Sequence, residues 1–100
     1  MKKINWDVNK NLILKIERGI SFDDVVYYIE NAKIIDIIKH PNQLKYPNQK
    51  IFIIQINEYI FLVPFVENQN EIFLKTIIPS RKATIKYLGE NYEKEKYKIR

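Results

Sequence analysis

The spacing of apolar residues changes once along this chain, near Lys33, and that change limits the folds open to it. Before Lys33 the apolar positions recur at helical intervals. Val8, Leu12 and Ile16 stand at i, i+4 and i+8 behind Asp7, which predicts a helix capped by Asp7, stopped at Gly19 and buried along that stripe. Ser21 and Asp24 make a capping box for a second helix, in which Phe22, Val25, Val26 and Ile29 repeat at i, i+3, i+4 and i+7.

After Lys33 the pattern becomes that of strands. "KIIDII", Lys33 to Ile38, is short and β-branched, and "HPNQLKYPNQ", His40 to Gln49, carries two Pro-Asn pairs that make it a loop. Lys50 to Ile56, Tyr59 to Val66 and Glu71 to Ile78 read as three more strands, separated by Asn57-Glu58 and by the polar tract Glu67 to Asn70. Connections this short join antiparallel neighbours. Pro64 has no N–H for a ladder, so its strand needs an edge position or a bulge there. Ser80 caps a last helix that ends at Leu88, ahead of Gly89.

The expectation is a single α+β domain over residues 1–100, in the order ααββββα, with a four-stranded antiparallel sheet packed by helices on one face. Residues 90–100 are read as a mobile or helical basic tail. Phe52, Ile53 and Ile54, and then Tyr59 to Leu62, are apolar on both faces of their strands. Helices cover only one face of a sheet this small, so either the last helix wraps round to the other face or that face is the surface of a groove or a partner contact, and the groove or partner is the preferred reading.

Composition narrows the chemistry. A hydrophobic share of 46% over 100 residues is enough for a real core. No cysteine is present, which removes disulfide and thiolate chemistry, and one histidine does not make a His-based zinc site. Gly19 and Gly89 do not form a phosphate-binding glycine loop, and no Ser-His-Asp or HExxH arrangement occurs. No metal or cofactor is expected. The longest apolar runs, such as Tyr59 to Val66, are too short to span a membrane, and Met1-Lys2-Lys3 leads into polar Asn5 and Asp7. The expected setting is cytoplasmic, away from membranes.

The net charge of +5 is unevenly placed. Residues 1–74 hold nine Lys/Arg and nine Asp/Glu, whereas residues 75–100 hold eight against three. Such an excess suits contact with a polyanion, and it equally suits a solvated, solubilising end. Metal-free cleavage of RNA needs a base for the 2′-hydroxyl, cations for the phosphate and a donor for the leaving oxygen. His40, Lys50, Lys75, Arg81, Lys82, Tyr46 and Tyr87 are the side chains suited to those tasks. Arg81 and Lys82 fall at a helix start, where unpaired N–H groups favour an anion and Arg81 adds a bidentate donor set. The simpler readings are a salt bridge for Arg81, a solvated i, i+4 face for Lys82 and Lys86, a surface loop residue for His40 and a core anchor for Trp6.

"INWDVNKN", "RGISFDDVVYYI" and "FLKTIIPSRKATIKYL" together resemble the BrnT-type toxins of bacterial type II toxin-antitoxin systems. The pattern there runs Trp-Asp-x-x-Lys, then Gly-Val-Ser-Phe-Glu-Glu, then a closing strand and Arg-x-Ala-Thr. Trp6, Asp7, Lys10, Gly19, Ser21, Phe22, Arg81, Ala83 and Thr84 fall on it in order, within residues 4–88. The resemblance implies a RelE-like fold, a metal-independent endoribonuclease that slows translation, and neutralisation by a DNA-binding antitoxin. Carried over by position, Lys10, Lys50, Lys75 and Arg81 are the implied catalytic set, and Arg18, Lys82 and Lys86 the RNA contacts. Glu17-Arg18 replaces the usual Lys-His, and Lys50 stands where an arginine is common, losing the bidentate fork.

Two rival readings use the same residues: a non-catalytic nucleic-acid-binding module, and an interaction protein that docks through its apolar sheet face. For the toxin, the expected partner is an antitoxin with an acidic, amphipathic segment. That segment would cover an apolar floor of Phe73 and Ile77, with Lys75 between them on one face by period-two alternation.

Overall fold

The computed structural model describes the backbone of residues 2–98 and the side chains of residues 2–89. The elements run β1 (Lys3–Trp6), α1 (Val8–Arg18), α2 (Phe22–Glu30), β2 (Ile34–Lys39), β3 (Lys50–Ile56), β4 (Tyr59–Glu67), β5 (Glu71–Leu74), β6 (Ile78–Pro79) and α3 (Arg81–Lys98). Among the described residues the fold is α+β, with three helices and an open, mixed sheet ordered β1-β5-β4-β3-β2, β6 pairing with β4. The order ααββββα lacked β1, whose four residues are too few to display alternation. Nor is the sheet purely antiparallel. β1 runs parallel to β5, with Lys3 opposite Glu71 and Trp6 opposite Leu74. Parallel neighbours need a long crossover; here everything from α1 to β4 supplies it.

The caps form as the sequence implies. The Asp7 side chain accepts from the Lys10 amide at 3.0 Å, and Gly19 ends α1 at φ 65°, a left-handed conformation that favours glycine. Ser21 and Asp24 close a reciprocal capping box on α2.

The roll of α1 is the reverse of the expected one. Val8, Leu12 and Ile16 are 70%, 52% and 84% exposed, and the buried side chains are Asn11 and Leu14. Polar bonds account for this. Asn11 Oδ1 accepts from the Phe22 amide at 2.7 Å, and Asn11 Nδ2 donates to Asp23 at 3.3 Å. One turn beyond Leu14, the Arg18 guanidinium donates to the carbonyl of Ile77. Residues 11, 14 and 18 share one helical face, and it is this face that meets the rest of the protein.

Helices cover both faces of the sheet, not one. Phe52, Ile54, Val63, Phe65, Leu74 and Ile77 pack against Leu14, Ile20, Phe22 and Val25 of the α1–α2 layer. On the opposite face Ile51, Ile53 and Ile60 lie beneath Ala83, Tyr87 and Leu88 of α3. The apolar character of both faces therefore reflects two cores, and the expected open groove is largely filled by the last helix. Its backbone breaks at Gly89 (φ 60°, ψ −145°) and runs helical to Lys98; the end of the expected tail, 99–100, lies outside the described residues.

Pro64 is accommodated by a bulge. Leu74 pairs with Phe65 and Ile78 with Leu62, so three residues, 75–77, oppose two. The Pro64 carbonyl accepts from the Lys75 amide at 2.8 Å, which points the missing N–H toward that interruption. The extra residue also reverses the side-chain parity. Ile77 is fully buried with Leu74, and the expected floor of Phe73 and Ile77 on one face does not exist.

Candidate nucleic-acid interface

The entry to α3 is held by a short polar network. Ser80 Oγ accepts from the Ala83 amide at 3.0 Å, and the Thr84 hydroxyl donates to the Ser80 carbonyl at 2.7 Å while accepting from the Ile60 amide at 2.9 Å. Thr84 is completely buried. It ties the first turn of α3 to the middle of the sheet, so Arg81 and Lys82, both exposed, leave from a fixed backbone.

Between Ile72 and Gly89 the chain contains no Asp or Glu, yet it places Lys75, Arg81, Lys82 and Lys86 there. None of these four forms an ion pair among the described side chains, whose salt bridges are Lys2–Glu67, Lys15–Asp23 and Lys50–Glu67. Two lie over aromatic rings: Lys75 Nζ is 5.6 Å from the centroid of Phe73, and Lys86 Nζ is 5.3 Å from that of Tyr87. Phe73 and Lys75 occupy the α3 side of the sheet, because Leu74 between them faces the α1–α2 core. Along β4, Lys75 pairs at Pro64 and Ser80 at Ile60, a separation of roughly 13 Å. Tyr87 donates its hydroxyl to Asp36 Oδ2 at 3.1 Å; desolvation, and then this carboxylate, push the phenol above its ordinary pKa.

The other implied residues sit elsewhere. Lys50 donates to Glu67 at 3.1 Å on the α1–α2 side, at the far end of β4 from Ser80. A strand of RNA gripped by Arg81 therefore does not meet Lys50, which lies across the sheet. Arg18 is engaged with the Ile77 carbonyl, and Lys10 is half-buried in the first turn of α1, also on the α1–α2 side. The set read from the sequence thus divides into Lys75, Arg81, Lys82 and Lys86 on one face and Lys10, Arg18 and Lys50 on the other. His40 serves its own loop: Nδ1 accepts from the Asn42 amide at 3.0 Å, and the ring packs on Tyr46 at 4.4 Å.

Sequence reasoning missed four features. Phe73 was read as an apolar floor rather than a ring beneath Lys75. Thr84 was noticed only as part of a motif, and the acid-free run from Ile72 to Gly89 was the signal that could have separated one group of cations from the other. A cavity of about 630 Å³ between α1, α2 and the β3–β4 turn, lined by Arg18, Asp23, Tyr27, Tyr28, Tyr59 and Phe61 among others, had no sequence signal. Among the described residues no cluster of three or more His, Cys, Asp or Glu side chains suits a metal ion, and no helix is long and apolar enough to cross a membrane. Comparison with protein-family models, with curated proteins and with solved structures finds no match.

Proposed function

We propose that the protein binds RNA through the α3 face and acts there as a metal-independent ribonuclease toxin, held in check by a partner antitoxin. The observation that carries the RNA contact is the group of four cations without carboxylate partners, two of them set over aromatic rings. Phosphates are neutralised by such cations without regard to sequence. Arg81 presents a planar fork to a phosphate, and Lys75 lies within reach of a neighbouring one. The toxin activity rests on the resemblance of residues 4–88 to BrnT-type proteins. In this reading Arg81 holds the scissile phosphate and stabilises the charge that grows on it in the transition state, while Lys75 holds the neighbouring phosphate.

A non-catalytic RNA-binding module is the second reading, favoured by the division of the implied catalytic cations between two faces. Expression of the parent and of Arg81→Ala in growing cells, with RNA from each mapped for new 5′ ends in the presence of a chelator, decides between them. Growth arrest and cleavage by the parent, both lost in a folded Arg81→Ala, support the toxin. RNA binding without arrest or cleavage supports the module.

A further inference from the structure

Lys39 and Lys50 stand directly opposite each other at the end of the β2–β3 ladder. Their Cβ atoms are about 5 Å apart on one face, a position in which like charges weaken a sheet. Among the described side chains a single carboxylate, Glu67, pairs with this cluster. Glu67 Oε1 accepts from Lys50 at 3.1 Å and Glu67 Oε2 from Lys2 at 2.8 Å, while Lys39 has no ion pair among the described side chains. Two ammonium groups thus share one anion, and the third has none among the described side chains. The space beside them is a cavity of about 330 Å³, walled by Lys39, Lys50 and Glu67 and, from the loop after β2, by Gln43, Asn48 and Gln49. Its volume is at the small end of ligand sites, and every residue that lines it carries a polar side chain.

We infer that this cavity is an anion site for a phosphate group, with Glu67 as a built-in counter-anion. The carboxylate holds Lys2 and Lys50 while the site is empty, and an incoming phosphate bridges Lys39 and Lys50, relieving their repulsion. Both charges it meets are ammonium groups with donors to spare, and the side-chain amides of the loop complete the lining. The site lies on the α1–α2 side of the sheet, so it is separate from the α3 face and does not depend on the RNA reading.

The experiment is a titration of the isotope-labelled protein with inorganic phosphate at constant ionic strength, followed by amide and lysine side-chain NMR shifts. Saturable shifts at Lys39, Lys50 and Asn48 are expected. Lys39→Gln, an exposed change that removes a repulsion, should weaken phosphate affinity about tenfold, the loss of one charged hydrogen bond. Glu67→Gln should tighten it several-fold by removing the competing carboxylate, and Arg81→Ala should leave it unchanged. Parallel titrations with a 5′-phosphorylated oligoribonucleotide and its 5′-hydroxyl counterpart identify the source: the site takes a nucleic-acid end if only the former reproduces the shifts, and a small anion if neither does. Equal affinity in the parent and Lys39→Gln, or weaker binding by a folded Glu67→Gln, would overturn the assignment. So would shifts that map to Arg81 and Lys82 instead.

Discussion

The two faces of the sheet differ in how they treat most of their positive charge, Lys39 on the α1–α2 side, without an ion pair among the described side chains, being an exception. On the α1–α2 side, Lys2 and Lys50 share Glu67, Lys15 reaches Asp23 at 3.7 Å, and Arg18 is spent on a backbone carbonyl. On the α3 side Lys75, Arg81, Lys82 and Lys86 meet rings or solvent. Net charge alone does not separate these cases; what separates them is whether the fold brings a carboxylate or a carbonyl within reach. A cation that holds two elements together contributes to stability, whereas one without a protein partner remains available to a ligand.

That contrast can be attacked at several strengths. The largest effect belongs to the core under α1 and α2: Phe22→Ala removes a fully buried ring stacked 5.8 Å from Trp6 and should cost about 3–5 kcal/mol in urea-induced unfolding. Thr84→Val comes next. It leaves the Ile60 amide without its acceptor in a buried setting and should cost about 1–3 kcal/mol, with the α3 layer the first to lose protection in hydrogen exchange.

Acidification probes the pairing at Glu67. Hydrogen bonds from Lys2, and then from Lys50, hold the Glu67 carboxyl below its ordinary pKa. A depressed pKa contributes stability that is present above the ordinary carboxylate range and is lost as pH falls through the lowered value. Urea midpoints of the parent should therefore fall more steeply on acidification than those of Glu67→Gln; for a partly exposed pair the difference stays within about 1 kcal/mol. Equal slopes would mean that the pairing is electrostatically idle. The smallest effect on stability is expected on the α3 side, where Arg81→Ala or Lys82→Gln should stay within about 0.5 kcal/mol of the parent. Each should nevertheless lower the salt dependence of RNA binding by about 0.7 in the logarithmic slope, one phosphate contact's worth. A large loss of stability in either variant would erase the distinction between the faces.

Much of the local structure was legible because it depends on neighbours in sequence. Asp7, Ser21 with Asp24, and Ser80 act as caps within three residues of themselves, and Asn57 takes the positive φ of 58° that its two-residue hairpin requires. What failed was long-range. The stripe of Val8, Leu12 and Ile16 is a valid helical pattern, but the polar anchors at Asn11 and Arg18 turn it to solvent, and those partners lie 11 and 59 residues away. Alternation correctly placed Lys75 beside Phe73, then misassigned Ile77 because one inserted residue in the bulge reverses every parity after it. The basic character of the C-terminal end was readable by counting. That Lys50 and Arg81 look in opposite directions was not, since it follows from α3 crossing to the far side of the sheet.

The parallel pairing of β1 with β5 also sets an order of events during synthesis. Asn5 donates to Glu71 at 2.7 Å across 66 residues of sequence. β1 thus waits for β5. At ordinary translation rates that interval is roughly 3–13 s, long enough for α1, α2 and the β2–β4 meander to form around local contacts. During it, Trp6 has no strand beside it. The emerging chain therefore carries an unpartnered β1, whose border closes only when residues 71–74 arrive between β1 and β4.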